Sequence, residues 1–304
     1  MIQKQKQNED IISKMDRNMS FKARPLGKRT TIVILAFFTA LSIGASKKNK
    51  NINPGNDPNF TIRVNSDKGL KSFNRKVKVF GIDIYARPKV EDRKLLHAAN
   101  VMAQYLDNDE DGVVDDQKVL DKMIENKAYL VMWSKQTDLV RSFVRGRSGQ
   151  DLGNEETNPD YVSSGLTGRF DASLEEVLHI INNAGHSKAY PEAFGQNKGS
   201  KLANAMDIAR GRYFEQIPKS YPDDAWYTYN DKTCDYASCQ TIEYMYWALT
   251  STLGAQENRL NKINNEWSLN TRQKVEEIDT AIFSLLSNPT YKMPTVLPDG
   301  TYRH

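Results

Sequence analysis

The spacing of apolar residues changes several times along this chain, and each change marks an element. Val77, Val79, Ile82 and Ile84 alternate with polar residues around Gly81, which predicts one strand with a bulge at the glycine. Pro88 closes it. Over 90–106 the period becomes helical, with Leu95, Ala98, Ala99, Met102 and Leu106 on one stripe. A short helix is predicted over 117–126, and the run AYLVMW at 128–133 reads as a buried strand. Residues 146–168 are polar, glycine-rich and without period, which predicts a long surface loop. Helices are predicted at 174–184, 199–210, 239–261 and 271–287, and the tail after Asn288-Pro289 reads as extended. The sum is an α+β fold, mostly helical, in one globular domain over 61–304.

The first sixty residues differ from the rest. An apolar run at 31–45 comes after Lys22, Arg24, Lys28 and Arg29 and ends in small residues, the three-part layout of an export signal or signal anchor over 1–46. Residues 47–60, rich in Lys, Asn, Pro and Gly, form a linker. That leader changes the meaning of the overall +4 charge, because it holds eleven Lys/Arg against three Asp/Glu within residues 1–50. The remainder carries 31 basic and 35 acidic side chains, a balance unsuited to tracking phosphates, so nucleic acid is not an expected partner. Membrane contact is expected only through the N-terminal segment, and the protein is expected to be secreted, periplasmic or anchored. Cys234 and Cys239, the only cysteines, then read as one disulfide closing a small ring, worth about 2 kcal/mol in chain entropy.

Between the first two predicted helices, Asp107, Asp109, Asp111 and Asp115 fall at positions 1, 3, 5 and 9 of a loop with Gly112 at position 6. A hard cation needs oxygens at this spacing and a residue that permits the sharp turn. The segment resembles the EF-hand calcium loop, within a helix-loop-helix over 90–126. The resemblance implies bound Ca²⁺ and a ligand from the Val113 carbonyl at position 7. Lys118 stands at position 12, where the family has a bidentate Glu, so affinity should fall to about 10⁻⁴–10⁻³ M unless Asp116 supplies an oxygen. An acidic turn held by Asx hydrogen bonds gives the same sequence.

A second candidate lies at 171–186. Glu175, Glu176 and His179 have the outline of a zincin helix with Glu175 in place of that family's first histidine. The resemblance implies Zn²⁺ held by Glu175 and His179, with Glu176 as general base. The third ligand is either His186, on the same line if the helix persists past Gly185, or Glu243, a carboxylate in the apolar run 239–247. The plainer account makes Ser173 and Glu176 a capping box and Gly185 the helix stop. Two functions are compatible with these features. One is an exported calcium-binding protein with a zincin-like, metal-dependent hydrolase centre. The other is a non-catalytic, calcium-stabilised exported protein that binds a partner or envelope component through aromatic turns at 190–191, 221–222 and 225–229.

Overall fold

A computed structural model describes residues 57–139 and 142–304. The predicted export segment, and the predicted linker up to residue 56, lie outside the described residues. Phe80 and Gly81 both take positive φ, 45° and 96°, and so form a two-residue turn whose twist suits a hairpin. The predicted single bulged strand is therefore two antiparallel strands, β2 (Arg75–Val79) and β3 (Ile82–Ala86), with Val77 opposite Ile84 and Val79 opposite Ile82. Alternation runs unbroken across such a turn because the paired residues share one face of the sheet.

Five strands make the sheet, in the order β1 (Arg63–Val64), β2, β3, β4 (Tyr129–Trp133), β5 (Gly149–Gly153). The first two junctions are antiparallel and the last two parallel. β5 falls within the predicted surface loop. Its sequence, GQDLG, has one apolar residue, so no period announces it. A Cβ on Gly149 would lie 2.6 Å from the Tyr129 ring, so the strand depends on glycine beside a large cross-strand neighbour. Helices α1 (Asp92–Leu106) and α2 (Gln117–Glu125) connect β3 to β4. Ile84, Leu130, Met132 and Leu152 face the main core with the α1 stripe, while Tyr85, Tyr129 and Val131 face a smaller cluster with Leu70 and Phe73.

Helix α3 (Ser173–Ile181) does not stop at Gly185. It continues through a π-turn, Asn182–His186, and a last turn, Ser187–Ala189. Gly185 serves packing instead: a Cβ there would come within 2.7 Å of Val119 and 3.0 Å of Met123 on α2. α4 is Lys201–Ala209. α5 (Thr241–Thr252) is entered by a second π-turn, Tyr236–Gln240, and is shorter than expected because Gly254 leaves it with φ of 94°. The last predicted helix is two, α6 (Arg272–Ile278) and α7 (Thr280–Leu286), parted at Asp279. Its buried carboxylate accepts hydrogen bonds from the Ile282 N–H (3.3 Å), the Trp226 indole (2.7 Å) and the Tyr244 hydroxyl (2.7 Å). Cys234 and Cys239 are bonded, tying the segment that leads into α5. Among the described residues no helix is long and apolar enough to cross a membrane.

Candidate metal centre

The start of α3 decides what its glutamates are free to do. Asp171 organises this turn, with Oδ1 accepting from the Asn158 N–H (2.9 Å), the Ser173 N–H (3.2 Å) and the Ser173 hydroxyl (2.9 Å). The capping box expected of Ser173 and Glu176 does not form, because Ser173 already lies inside the helix and its hydroxyl turns back to Asp171. Glu176 instead accepts from the Gln150 side-chain amide on β5 at 2.5 Å and stands 3.3 Å from His179 Nδ1.

Glu175 and His179 sit one helical turn apart and face α5, which contributes Glu243. One ligand atom from each of these three residues lies within 4.8 Å of the others. His179 Nε2 is 3.7 Å from Glu243 Oε2, and both side chains are buried. Two donors that each sit about 2 Å from a shared ion are separated by about this distance. His179 Nε2 has no hydrogen-bond partner among the described residues, and a buried polar atom so placed calls for an ion or water.

Electrostatics point the same way. Burial, then the charge of Glu176, push the Glu175 carboxyl up to about 7. Burial, with Asp151 and Glu156 nearby, drives Glu176 well above the usual carboxylate range. Asp151, which accepts from the Trp133 indole at 2.7 Å, is pushed up to about 6, chiefly by burial. Burial lowers His179 despite the neighbouring charges of Glu175 and Asp151. Partly desolvated carboxylates held this close disfavour one another's charge, and a dication would reverse the balance.

His186 does not join the group. Its ring lies 5.4 Å from Phe194, and burial pushes it down to about 4 against the opposing field of Asp116. The helix persists, as His186 required, but the π-turn inserts a residue, and each added residue rotates the later side chains by about 100°. Glu176 also departs from its expected place. It stands beside His179 Nδ1, where a carboxylate fixes ring orientation, and not on the side of Nε2.

Sequence reasoning missed four contributors. Gln150 and Asp151 were hidden by the unrecognised strand. Tyr246, one turn beyond Glu243, stands edge-on to the His179 ring at 5.7 Å, and its hydroxyl is near enough to Glu175 to oppose the rise of that carboxyl. Glu266, partly exposed, is pushed up to about 7 by burial and then by the charge of Glu175.

At the loop between α1 and α2, ligand atoms of Asp107, Asp109 and Asp111 lie within 4.8 Å of one another. Asp107 is fully buried and accepts from the Asp111 N–H (3.2 Å), the Gly112 N–H (2.9 Å) and the Tyr302 hydroxyl. Gly112 takes the positive φ, 86°, that its position requires. Asp115 is raised by burial and by the charges of Asp109 and Asp107, though its carboxylate accepts from the Asn108 N–H at 2.7 Å. The Val113 N–H donates to Asp111, and its side chain is exposed. Asp116 is committed elsewhere, capping α2 through the Lys118 and Val119 N–H groups and accepting from Tyr190. Lys118 rests 4.2 Å from the Tyr190 ring. Of the aromatic turns, the one at 225–229 buries Tyr227 and Tyr229 and has Trp226 held by Asp279, whereas Tyr190 and Tyr221 are only half-buried.

No family model matches this chain, nor does any curated protein or solved structure.

Proposed function

We propose that this is an exported, calcium-binding protein whose Glu175, His179 and Glu243 hold a zinc-type ion in a metal-dependent hydrolase centre. The observation that carries the reading is the buried His179 Nε2, 3.7 Å from Glu243 and without a hydrogen-bond partner among the described residues. One imidazole and two carboxylates suit zinc, and three protein ligands leave the open position that a catalytic site keeps. When bound, such an ion polarises a carbonyl and lowers the pKa of a water. The chain's own residues do the rest. Glu176, itself held by Gln150, stands at the Nδ1 side of the His179 ring, and Tyr246 packs edge-on against that ring. Glu176 and Glu266 are both partly exposed carboxyls raised by burial, Glu266 to about 7, and are the groups assigned to proton exchange. The Asp107 loop takes calcium as a standing structural ion. Export accords with the bonded Cys234 and Cys239.

The engagement of Glu176 favours a second reading, in which the centre holds its ion and turns over no substrate. A mixed library of quenched-fluorescent peptides separates the two. The hydrolase reading expects cleavage that stops with a chelator, returns with zinc and falls about 10²–10⁴-fold in Glu176→Gln or Glu266→Gln. Zinc-loaded protein that cleaves none of the library supports the non-catalytic reading.

A further inference from the structure

The last six residues lie across α1 and touch a route that ends at the metal-ligand helix. Gln104 Oε1 accepts from the Asp299 N–H (3.0 Å) and the Gly300 N–H (2.8 Å), and the Arg303 N–H donates to Glu110 at 2.9 Å. Tyr302 donates to Asp107, and its carbonyl accepts from Asn59 at 2.7 Å. Between these anchors Gly300, at φ of 78°, lies directly on the imidazole of His97. A Cβ there would be 2.0 Å from Nδ1, so no other residue fits without moving the ring. The opposite nitrogen, Nε2, is 2.6 Å from Asp171 Oδ2, and both side chains are buried. Asp171 Oδ1 in turn organises the first turn of α3, whose Leu174 carbonyl also accepts from Tyr105 of α1 at 2.8 Å. Glu175 is the next residue.

We infer that the C-terminal strap, residues 299–304, is a positioning clamp for the metal-ligand helix, acting through His97 and Asp171. A cavity of about 450 Å³ opens beside His97, bordered by Asp160, Ser163 and Thr301. Without Gly300 over it, the ring would have space to swing from Asp171. His179 and Glu243 are buried among side chains of α3 and α5, whereas Glu175 is partly exposed in the first turn. The clamp therefore sets chiefly where Glu175 stands relative to the other two. It rests on the reading of these residues as a metal centre, but its first readout needs no metal.

The test compares the full chain with His97→Ala, His97→Gln, Gly300→Val and, as a control for general destabilisation, Phe73→Ala in the small cluster behind the sheet. In chelator-treated protein, amide exchange over 173–177 should quicken about tenfold in His97→Ala and Gly300→Val beyond any change in Phe73→Ala. His97→Gln, whose amide can still donate to Asp171, should restore most of the protection. With zinc added, the two disruptive variants should bind it about tenfold more weakly, with His97→Gln close to wild type. Exchange over 173–177 that matches the Phe73→Ala control, or no rescue by His97→Gln, overturns the clamp. If exchange responds as expected while wild type takes up no zinc, the clamp stands and the metal reading falls.

Discussion

His179 and His186 differ by seven residues and by nearly everything that matters chemically. Both are buried, but His179 has carboxylates near each ring nitrogen, whereas His186 has an aromatic neighbour and only the field of Asp116. For His186 the depressed value has a stability consequence. Its pKa is about 4 folded against 6.5 for the free side chain, so the unfolded chain binds the extra proton between these values. Stability from this group is present above about 6.5 and is lost as pH falls toward about 4. His186→Phe, which keeps the packing on Phe194, should lose about 2 to 3 kcal/mol less stability than wild type between pH 7 and 4.5 in urea unfolding. Equal losses in the two proteins would mean that His186 is already protonated in the native state.

At the scale of elements, the helix-loop-helix at the Asp107 loop makes its own prediction. If calcium fills it, millimolar calcium should raise the melting temperature by several degrees, equivalent to about 1 to 3 kcal/mol. Asp109→Ala should abolish the response, and an unchanged melting curve in wild type would leave an acidic turn held by hydrogen bonds. This element was legible because both flanking helices carry strong apolar periods and because the loop spacing is a chemical requirement. The buried strand β4 and the α3 core stripe were legible for the same reason. The hairpin at Phe80-Gly81 was misread because alternation cannot distinguish one bulged strand from two strands joined by a two-residue turn. β5 was invisible, since it is held by backbone pairing to β4 and by the absence of side chains at Gly149. The break at Asp279 depends on partners distant in sequence, Trp226 and Tyr244. Of the candidate centre, Glu175 and His179 were readable from i, i+4 spacing, and Glu243 from the cost of a carboxylate in apolar company. His186 was lost to the phase shift of the π-turn, and Gln150 and Asp151 to the missed strand.

For the molecule as a whole, the candidate centre stands where three parts of the fold meet. α3 supplies two of the candidate ligands, α5 the third, and β5 the Gln150 that holds Glu176 beside His179. A disulfide fixes the approach to α5, and the C-terminal strap reaches the start of α3 through His97. Elements so distant in sequence are brought together around a cluster of carboxylates that disfavour one another's charge, an arrangement that a bound cation stabilises. The direct measurement is isothermal titration of zinc into the chelator-treated full chain, run beside His179→Ala and Glu243→Gln. The account predicts one zinc per chain in wild type, bound at least about 10²-fold more weakly in each variant, with proton release on binding. Wild-type protein that binds no zinc, or variants that bind it as tightly, would contradict a metal centre at Glu175, His179 and Glu243.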